Sequence, residues 1–476
     1  MTVTLRDLFR EGGPIPVLDL AYDSRRVRPG TLFFCVRGLE RDGHDFARDA
    51  VRRGAVALVV ERPLRLGVPE IRVPDVRSAM PLVAARFHDH PSGSLEVIGV
   101  TGTNGKTTTT FMLRAILEAA GRRCGLLGTV KDSVGGQETP PALTTPEAID
   151  LQASLRAMVD AGQAACVMEV SSHGLSLRRV DQVRFAAAIF TNLTQDHLDF
   201  HETMGAYFGA KRTLFVDRPG TPVVNVDDPH GRALALQDGS VTFALDRPAD
   251  FRAVSVQASL AGSSAIVRSP AGEHALALPL PGRHNVANAL GAIAAAAAIG
   301  IREDVARDAL AAFPGVPGRF ERVDSGQPFA VVVDFAHTPD ALAHTLATAR
   351  EIVDGRVICV FGCAGGRDRD TRAPMGAIAT ELADIVVLTM DDPRSESPEA
   401  LVADIQRGTD GRELVIADRA SAISHAVDLA AEGDLVLIAG RGHERTQTVD
   451  GHTRVLDDVT EARRALLQRL RAAAKR

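Results

Sequence analysis

Tryptophan is absent from this chain of 476 residues, and tyrosine occurs twice. Proteins that hold single-stranded nucleic acid stack bases on aromatic side chains, so their usual platforms are missing. Positive charge is not in surplus either. The 54 Lys and Arg stand against 60 Asp and Glu, a net charge of −6, which excludes a general polyanion binder but leaves room for a local basic patch on a small phosphorylated ligand. No nucleic-acid partner is expected. The most apolar window, Ala289 to Ile301, is rich in alanine and shorter than the roughly 20 residues that span a bilayer. It reads as a buried helix, and no membrane span is expected. The stretch MTVTLRDLFREGG lacks the charged start, apolar core and small-residue cleavage site of a signal peptide, so a cytoplasmic location is expected. The five cysteines, Cys35, Cys124, Cys166, Cys359 and Cys363, are odd in number and scattered. They read as reduced core thiols rather than disulfides or zinc ligands.

With 45% hydrophobic and 24% charged residues, the chain can bury sizeable cores, and its length exceeds what one core serves. Three α/β domains are expected. Residues 1–90 hold short apolar runs, Thr31 to Val36 and Ala55 to Val60, separated by turn-rich pieces. A polar stretch at Pro91–Ser94 marks a linker, after which strand and helix patterns alternate through 91–315, implying a mostly parallel sheet. A second linker, Pro314–Gly318, precedes 316–476, an open-sheet domain with strands Ala330–Asp334, Val357–Phe361, Ile385–Leu388 and Leu435–Ala439 and a helix Pro339–Val353.

The stretch GVTGTNGKTT at 99–108 follows an apolar strand, Glu96 to Val100. It precedes a helix whose apolar residues Met112, Leu113, Ile116 and Leu117 recur at helical spacing before Gly121. In that context Gly102, Thr103, Asn104, Gly105, Lys106, Thr107 and Thr108 form a phosphate cradle. Glycines let backbone amides face an anion, the helix N-terminus adds partial positive charge, Lys106 reaches the β- and γ-phosphates, and Thr107 holds Mg²⁺. The loop has two residues between its glycines, shorter than the form common in GTPases and motors.

This stretch, with MEVSSHGL at 168–175, TNLTQDHLDFH at 191–201, AKRTLF at 210–215, GRHNVANAL at 282–290 and VVDFAHTPDAL at 332–342, resembles the Mur ligase family through the whole chain. The segments YDSRRVRPGTLFFCVRG at 22–38, DDPRSESP at 391–398 and GRGHE at 440–444 resemble its MurE-type branch, which adds the third residue of the peptidoglycan stem peptide. The resemblance implies a central P-loop ATPase domain between a UDP-binding and an amino-acid-binding domain. It also implies an ATP- and Mg²⁺-dependent ligase that phosphorylates a carboxylate and lets an amine displace the phosphate. The substrates implied are UDP-N-acetylmuramoyl dipeptide and a diamino acid, and a monomer is expected.

The same resemblance assigns roles. Glu169, His197 and Lys211, the last as a carbamate, join Lys106 as catalytic groups and surround a second Mg²⁺. Asn285 and Asn288 contact adenine, although Asn285 could instead cap a helix. Arg319, Asp334 and His337 close over phosphates and ribose; a surface ion pair for Arg319 and helix caps for the other two are the alternatives. Ser24 serves the uridine end, and Thr144, Thr145, Ser171 and Arg179 the acyl peptide end, with Ser24 and Thr145 also readable as caps and Arg179 as a solvated charge. Leu177 stands where some relatives carry Gln, so that contact is not carried over. Arg367, Asp391, Asp392, Pro393, Arg394, Gly440 and Glu444 hold the incoming amino acid. Its expected identity is meso-diaminopimelate, with L-lysine or L-ornithine as alternatives and a non-enzymatic nucleotide-binding scaffold as the reading of a different class. Asp392 replaces the usual Asn and Gly366 a common Asp. An ionised Asp392 would repel a distal carboxylate unless it pairs with Arg394, Arg367 or the ligand ammonium.

Overall fold

The computed structural model describes residues 3–10, 13–38, 41–218, 220–366, 368–449 and 451–473. Arg367 lies outside them. The chain forms two compact units, one of Met1–Thr101, Ala120–Ile189 and Gly209–Pro222, the other of Gly102–Ala119, Phe190–Phe208 and Val223–Arg476. Both are mixed α/β, with sheets that are mostly parallel.

The first unit opens with four parallel strands, Asp19–Ala21, Thr31–Phe34, Ala55–Val60 and Glu70–Arg72. Thr31–Phe34 is buried along its whole length, as a strand covered on both faces must be. Helix Val76–Phe87 shares a core with the start of helix Ala148–Asp160 through Val76, Met80, Val83, Ala148 and Ile149. A second group of strands runs in the order Phe185–Phe190, Glu96–Thr101, Ala165–Glu169, Cys124–Leu127, Asp132–Val134 and Gln137–Thr139. Ala165–Glu169 pairs in parallel with Glu96–Thr101 and with Cys124–Leu127. The expected linker at 91–94 is instead a packed 3₁₀ turn, Pro91–Gly93. Pro91 and Ser92 are buried, and Ser92 Oγ accepts the Arg184 N–H at 3.1 Å.

In the second unit, helix Lys106–Ala119 buries Met112, Leu113, Ile116 and Leu117 as its spacing predicts. It packs against helix Arg283–Ala298, in which Ala294, Ala295 and Ala296 are buried. This is the buried helix expected from the apolar window. Among the described residues no helix is long and apolar enough to cross a membrane. The expected strand–helix alternation fails at 251–278, where Phe251–Ser259, Gly262–Ser269 and Gly272–Leu278 form an antiparallel meander. Its turns at Leu260–Ala261 and Pro270–Ala271 are too short for the crossover that parallel strands need.

The last sheet runs Glu321–Arg322, Ala330–Asp334, Leu435–Ala439, Val357–Phe361, Ile385–Leu388, Leu414–Val415, and every pairing except the first is parallel. Period-two alternation sorts its residues into two cores. Val332, Cys359 and Phe361 face helices Pro339–Ile352 and Arg372–Leu382, while Val331, Val333, Ile358 and Val360 face Arg419–Leu429 and Asp458–Ala473. All five cysteines are free thiols.

Candidate active site

The phosphate loop is held from behind by residues 191–194. The Asn104 N–H donates to Asn192 Oδ1 (2.9 Å), and the Asn104 carbonyl accepts from Thr191 Oγ1 (2.6 Å) and Asn192 Nδ2 (3.2 Å). Thr103 N–H donates to the Asn192 carbonyl (2.9 Å), and Thr103 Oγ1 accepts from Thr194 N–H (3.0 Å) and lies 3.2 Å from the Tyr207 hydroxyl. Gly102 has φ +148° and Gly105 φ +85°; a Cβ on Gly105 would fall 2.3 Å from Asn288 Oδ1. Lys106 Nζ folds back onto the carbonyls of Gly102 (3.0 Å) and Thr103 (2.8 Å), so the cation sits over the loop it would share with a phosphate. Thr107 and Thr108 are buried in the first helical turn.

Asn285 and Asn288 are buried on the helix that backs this loop, and Asn288 Nδ2 points to Asn285 Oδ1 (3.4 Å). Gly282, not Asn285, is the N-cap residue; Asn285 Nδ2 donates to the Pro281 carbonyl at 2.8 Å. Arg319 donates from Nη2 to Thr107 Oγ1 (3.1 Å) and lies over the Phe335 ring, 4.6 Å from its centroid, which removes the surface ion-pair alternative. Asp334 accepts the Phe320 N–H at 2.7 Å. Burial pushes its carboxyl up against the opposing pull of Arg319. The cap of the following helix is Thr338, so neither Asp334 nor His337 serves that purpose. His337 is exposed, with Nδ1 2.8 Å from the Phe335 carbonyl. His197 has left-handed backbone, φ +54°, with Nε2 3.3 Å from Asp196 Oδ2. That conformation costs a non-glycine residue of order 1 kcal/mol or more and marks constrained, often functional, positions.

In the first unit, Glu169 ends its strand with a carboxylate that is 1% exposed. Thr129 donates to it twice, N–H to Oε1 (2.8 Å) and Oγ1 to Oε2 (3.0 Å). Four expected peptide-end residues gather around the same strand end. Thr144 Oγ1 lies 3.1 Å from Thr129 Oγ1. Thr145 Oγ1 donates to the Glu169 carbonyl (3.0 Å) and accepts the Ser171 N–H (2.9 Å). Arg179 donates from Nη1 to the Thr145 carbonyl (2.9 Å) and from Nε to Glu147 Oε1 (2.9 Å). Arg179 is therefore a buried ion-pair partner and not a solvated charge. Asp132 accepts the Gly128 N–H at 3.2 Å, and burial, reinforced by the nearby Glu169 charge, lifts its carboxyl to about 6. Lys211, on helix Met204–Val216, is 1% exposed and so not a surface lysine. Ser24 is buried in a 3₁₀ turn whose cap is Asp23.

A cavity open to solvent lies at the carboxyl ends of four parallel strands of the last sheet, the place where open α/β sheets bind ligands. Phe335 and His337 follow one strand, Cys363, Ala364 and Asp368 the next, Asp391, Asp392 and Arg394 the third, and Gly440 and Glu444 the fourth. Asp391 forms the floor. Its carbonyl accepts from Arg441 Nη1 (3.2 Å) and Gln447 Nε2 (2.5 Å), and burial pushes its carboxyl up to about 6 against the opposing charges of Arg419 and Arg441. A Cβ on Gly440 would lie 2.4 Å from Asp391 Oδ2. Asp392 does pair with Arg394: Oδ2 accepts from Arg394 Nε at 3.4 Å, while Oδ1 accepts the Thr448 N–H at 2.6 Å. The Asp392 carbonyl accepts the Gly365 N–H at 2.9 Å. Arg394 has φ +57°, and Glu444 is half-exposed 3.8 Å from Arg441. Beneath the cavity the fully buried Arg419 donates to both oxygens of Asp458 (2.8 and 2.7 Å). It also donates to the carbonyls of Ala439 (2.9 Å) and Met390 (3.4 Å), fixing the residues just before Gly440 and Asp391.

The donor chemistry suits Mg²⁺. Glu169 accepts two hydrogen bonds and keeps lone pairs for a hard cation. A carbamate at the buried Lys211 would supply an anionic oxygen. Among the described residues, no three His, Cys, Asp and Glu gather as a metal would need; the expected set contains two residues of those types.

Residues 19–88 match the description "Mur ligase family, catalytic domain", 100–296 "Mur ligase middle domain" and 318–442 "Mur ligase, glutamate ligase domain". The chain belongs to the Mur ligase family. It is 42% identical over 459 residues to the UDP-N-acetylmuramoyl-L-alanyl-D-glutamate--2,6-diaminopimelate ligase of Alkaliphilus metalliredigens (strain QYMF), covering 94% of this chain and 93% of that protein. The protein of the same name from Syntrophomonas wolfei subsp. wolfei is 44% identical over 475 residues, covering 96% of each. A solved structure of a ligase with that name covers 98% of this chain and 99% of its own at 33% identity, with a TM-score of 0.71.

Several residues that position the site were missed from sequence. Asn192, Glu147, Asp340 and Arg441 lie inside or beside the motifs singled out, so their polar character near a glycine-rich or threonine-rich turn was the available signal. Thr129, Arg419 and Asp458 carry no local mark, because their partners lie 40 and 39 residues away.

Proposed function

We propose that this chain is an ATP-dependent ligase that joins meso-diaminopimelate to UDP-N-acetylmuramoyl-L-alanyl-D-glutamate through an acyl phosphate, acting as a cytoplasmic monomer. The observation that carries the choice of amino acid is the last sheet's cavity, which presents a guanidinium at Arg394 and carboxylates at Asp391, Asp392 and Glu444. Such a lining matches a ligand bearing ammonium and carboxylate groups at both ends. Residues 1–90 would take the UDP end with Ser24, 91–315 the nucleotide, and 316–476 the amino acid, Arg367 included.

In this reading Lys106 and the loop amides bind the β- and γ-phosphates, Arg319 approaches them from its place beside Thr107, and Asn285 and Asn288 take the adenine. Thr144, Thr145, Ser171 and Arg179 orient the acceptor carboxylate, which attacks the γ-phosphorus and releases ADP. The amine held over Asp391 and Glu444 then attacks the acyl carbon, phosphate leaves, and one proton is shed to give the amide. Thr107, Glu169, His197 and a carbamylated Lys211 would hold Mg²⁺, which when bound offsets the repulsion between two anions.

The Asp392–Arg394 contact favours a second reading, addition of L-lysine or L-ornithine, because it spends part of the guanidinium's charge inside the protein. Equal mixtures of the three amino acids, with products read by mass, decide between them. Diaminopimelate should dominate for the wild type and for Asp392→Asn, and Arg394→Ala should lose that preference. Dominance of lysine or ornithine in the wild type would refute the assignment.

A further inference from the structure

The phosphate loop has one contact that none of the roles above uses. The Asn104 side-chain amide donates from Nδ2 to Asp340 Oδ2 at 2.7 Å, and Thr194 Oγ1 donates to the same oxygen at 3.2 Å. Asp340 stands 236 residues further along the chain, in the first turn of helix Pro339–Ile352. Its other oxygen lies 3.4 Å from His344 Nδ1, whose ring also meets the Asp340 carbonyl at 2.8 Å. Asn104 is thereby held on both backbone and side chain: backbone N–H and carbonyl by residues 191–192, side-chain Nδ2 by Asp340. A carboxylate beside a phosphate cradle is electrostatically unfavourable for an incoming anion, so its presence calls for a compensating task. The same helix packs through Leu342 and Leu346 into the core that contains Met375 and Ala379 of helix Arg372–Leu382, and Arg372 lines the amino-acid cavity.

We infer that Asp340 is a positioning residue for nucleotide binding: by capturing the Asn104 amide and the Thr194 hydroxyl it holds the phosphate loop in its binding shape and ties that shape to the helix leading to the amino-acid cavity. The inference rests on the nucleotide reading of the loop. Its energetic basis is hydrogen bonding to a charged acceptor, which outweighs the repulsion only while the carboxylate is engaged by its two donors.

The test is calorimetric binding of Mg²⁺-ADP to the full chain for wild type, Asp340→Ala, Asp340→Asn, Asn104→Ala and the double variant Asn104→Ala/Asp340→Ala, with melting temperatures recorded beside each. Asp340→Ala should weaken binding about tenfold, the loss of a charge-assisted hydrogen bond, without lowering the melting temperature. Asp340→Asn should stay within about twofold of wild type, because its amide oxygen can accept both bonds. The double variant should be no weaker than the weaker single variant, since either single change already breaks the Asn104–Asp340 contact. Additive losses, or an Asp340→Asn as weak as Asp340→Ala, would overturn the inference. Unchanged or tighter binding by Asp340→Ala would overturn it as well while leaving the nucleotide reading intact. A wild type that does not bind Mg²⁺-ADP would overturn both.

Discussion

The glycine-rich loop at 102–108 and the cavity at the end of the last sheet, proposed to hold phosphates and the amino acid, are built by different routes. In the loop, seven consecutive residues supply both the proposed ligand-binding groups and most of the shape, and their supports, Thr191 to Thr194, come from one adjoining strand end. The cavity draws its lining from four strand ends and is stiffened by a buried ion pair, Arg419 and Asp458, that touches no ligand position. A loop defined by backbone amides needs little beyond glycine and chain direction. A cavity defined by side chains needs each of its walls anchored separately, and the anchors are charged groups whose burial is favourable only when every partner is present.

The difference is open to direct attack. The largest effect should come from splitting the cavity's anchor. Asp458→Ala leaves Arg419 buried without its counter-charge and should cost about 3–5 kcal/mol in urea unfolding. Replacing the pair together, Arg419→Met with Asp458→Leu, should restore most of that stability yet raise the KM for the amino acid while the KM for ATP holds. Equal damage to both constants would show that the two sites are not separately supported. In the loop the expected pattern is reversed: Lys106→Ala should leave unfolding unchanged but reduce ATP-dependent phosphate release by about 100-fold or more, as loss of a transition-state contact does. A variant retaining a tenth of wild-type release would contradict the role given to that lysine.

The smallest effect concerns the cavity floor. Asp391, held at about 6 by burial, keeps its proton in the folded chain between about pH 4 and 6, where an unfolded aspartate has shed it. The folded state then binds more protons, so this group's contribution is intact below pH 4 and is lost as pH rises through 6. Asp391→Asn abolishes that titration. Its stability relative to wild type should therefore climb across the window by on the order of 2 kcal/mol, measured as paired melts at pH 4 and pH 7. A flat difference would mean that Asp391 titrates normally.

The same contrast governs what could be read from sequence. The loop and its helix were legible because strand, glycines, lysine and apolar spacing lie within the 22 residues from Glu96 to Leu117. The meander at 251–278 was not. Its outward positions alternate correctly, but the inward ones include Ala253, Ser263, Ala265 and Ser269, too weakly apolar to show a period of two. Pro91–Ser94 has linker composition, yet Ser92 spends its hydroxyl on the Arg184 backbone, a contact visible only once the chain is folded. The union of Thr145, Ser171, Arg179 and Glu147 around Glu169 was half legible: each residue lay in or beside a motif, and nothing in the spacing said that they meet.

Gly440 carries a consequence for inhibition. Any side chain there would begin 2.4 Å from the Asp391 carboxylate, and the glycine's φ of +111° disfavours every other residue as well. Arg394 and Glu444 are exposed enough to be exchanged at little structural cost. A compound that draws its affinity from those two meets side chains whose exchange the fold tolerates, opposed only by their proposed role toward the amino acid. One that lies flat against the Gly440 backbone presses on a position where resistance would have to dismantle the cavity floor.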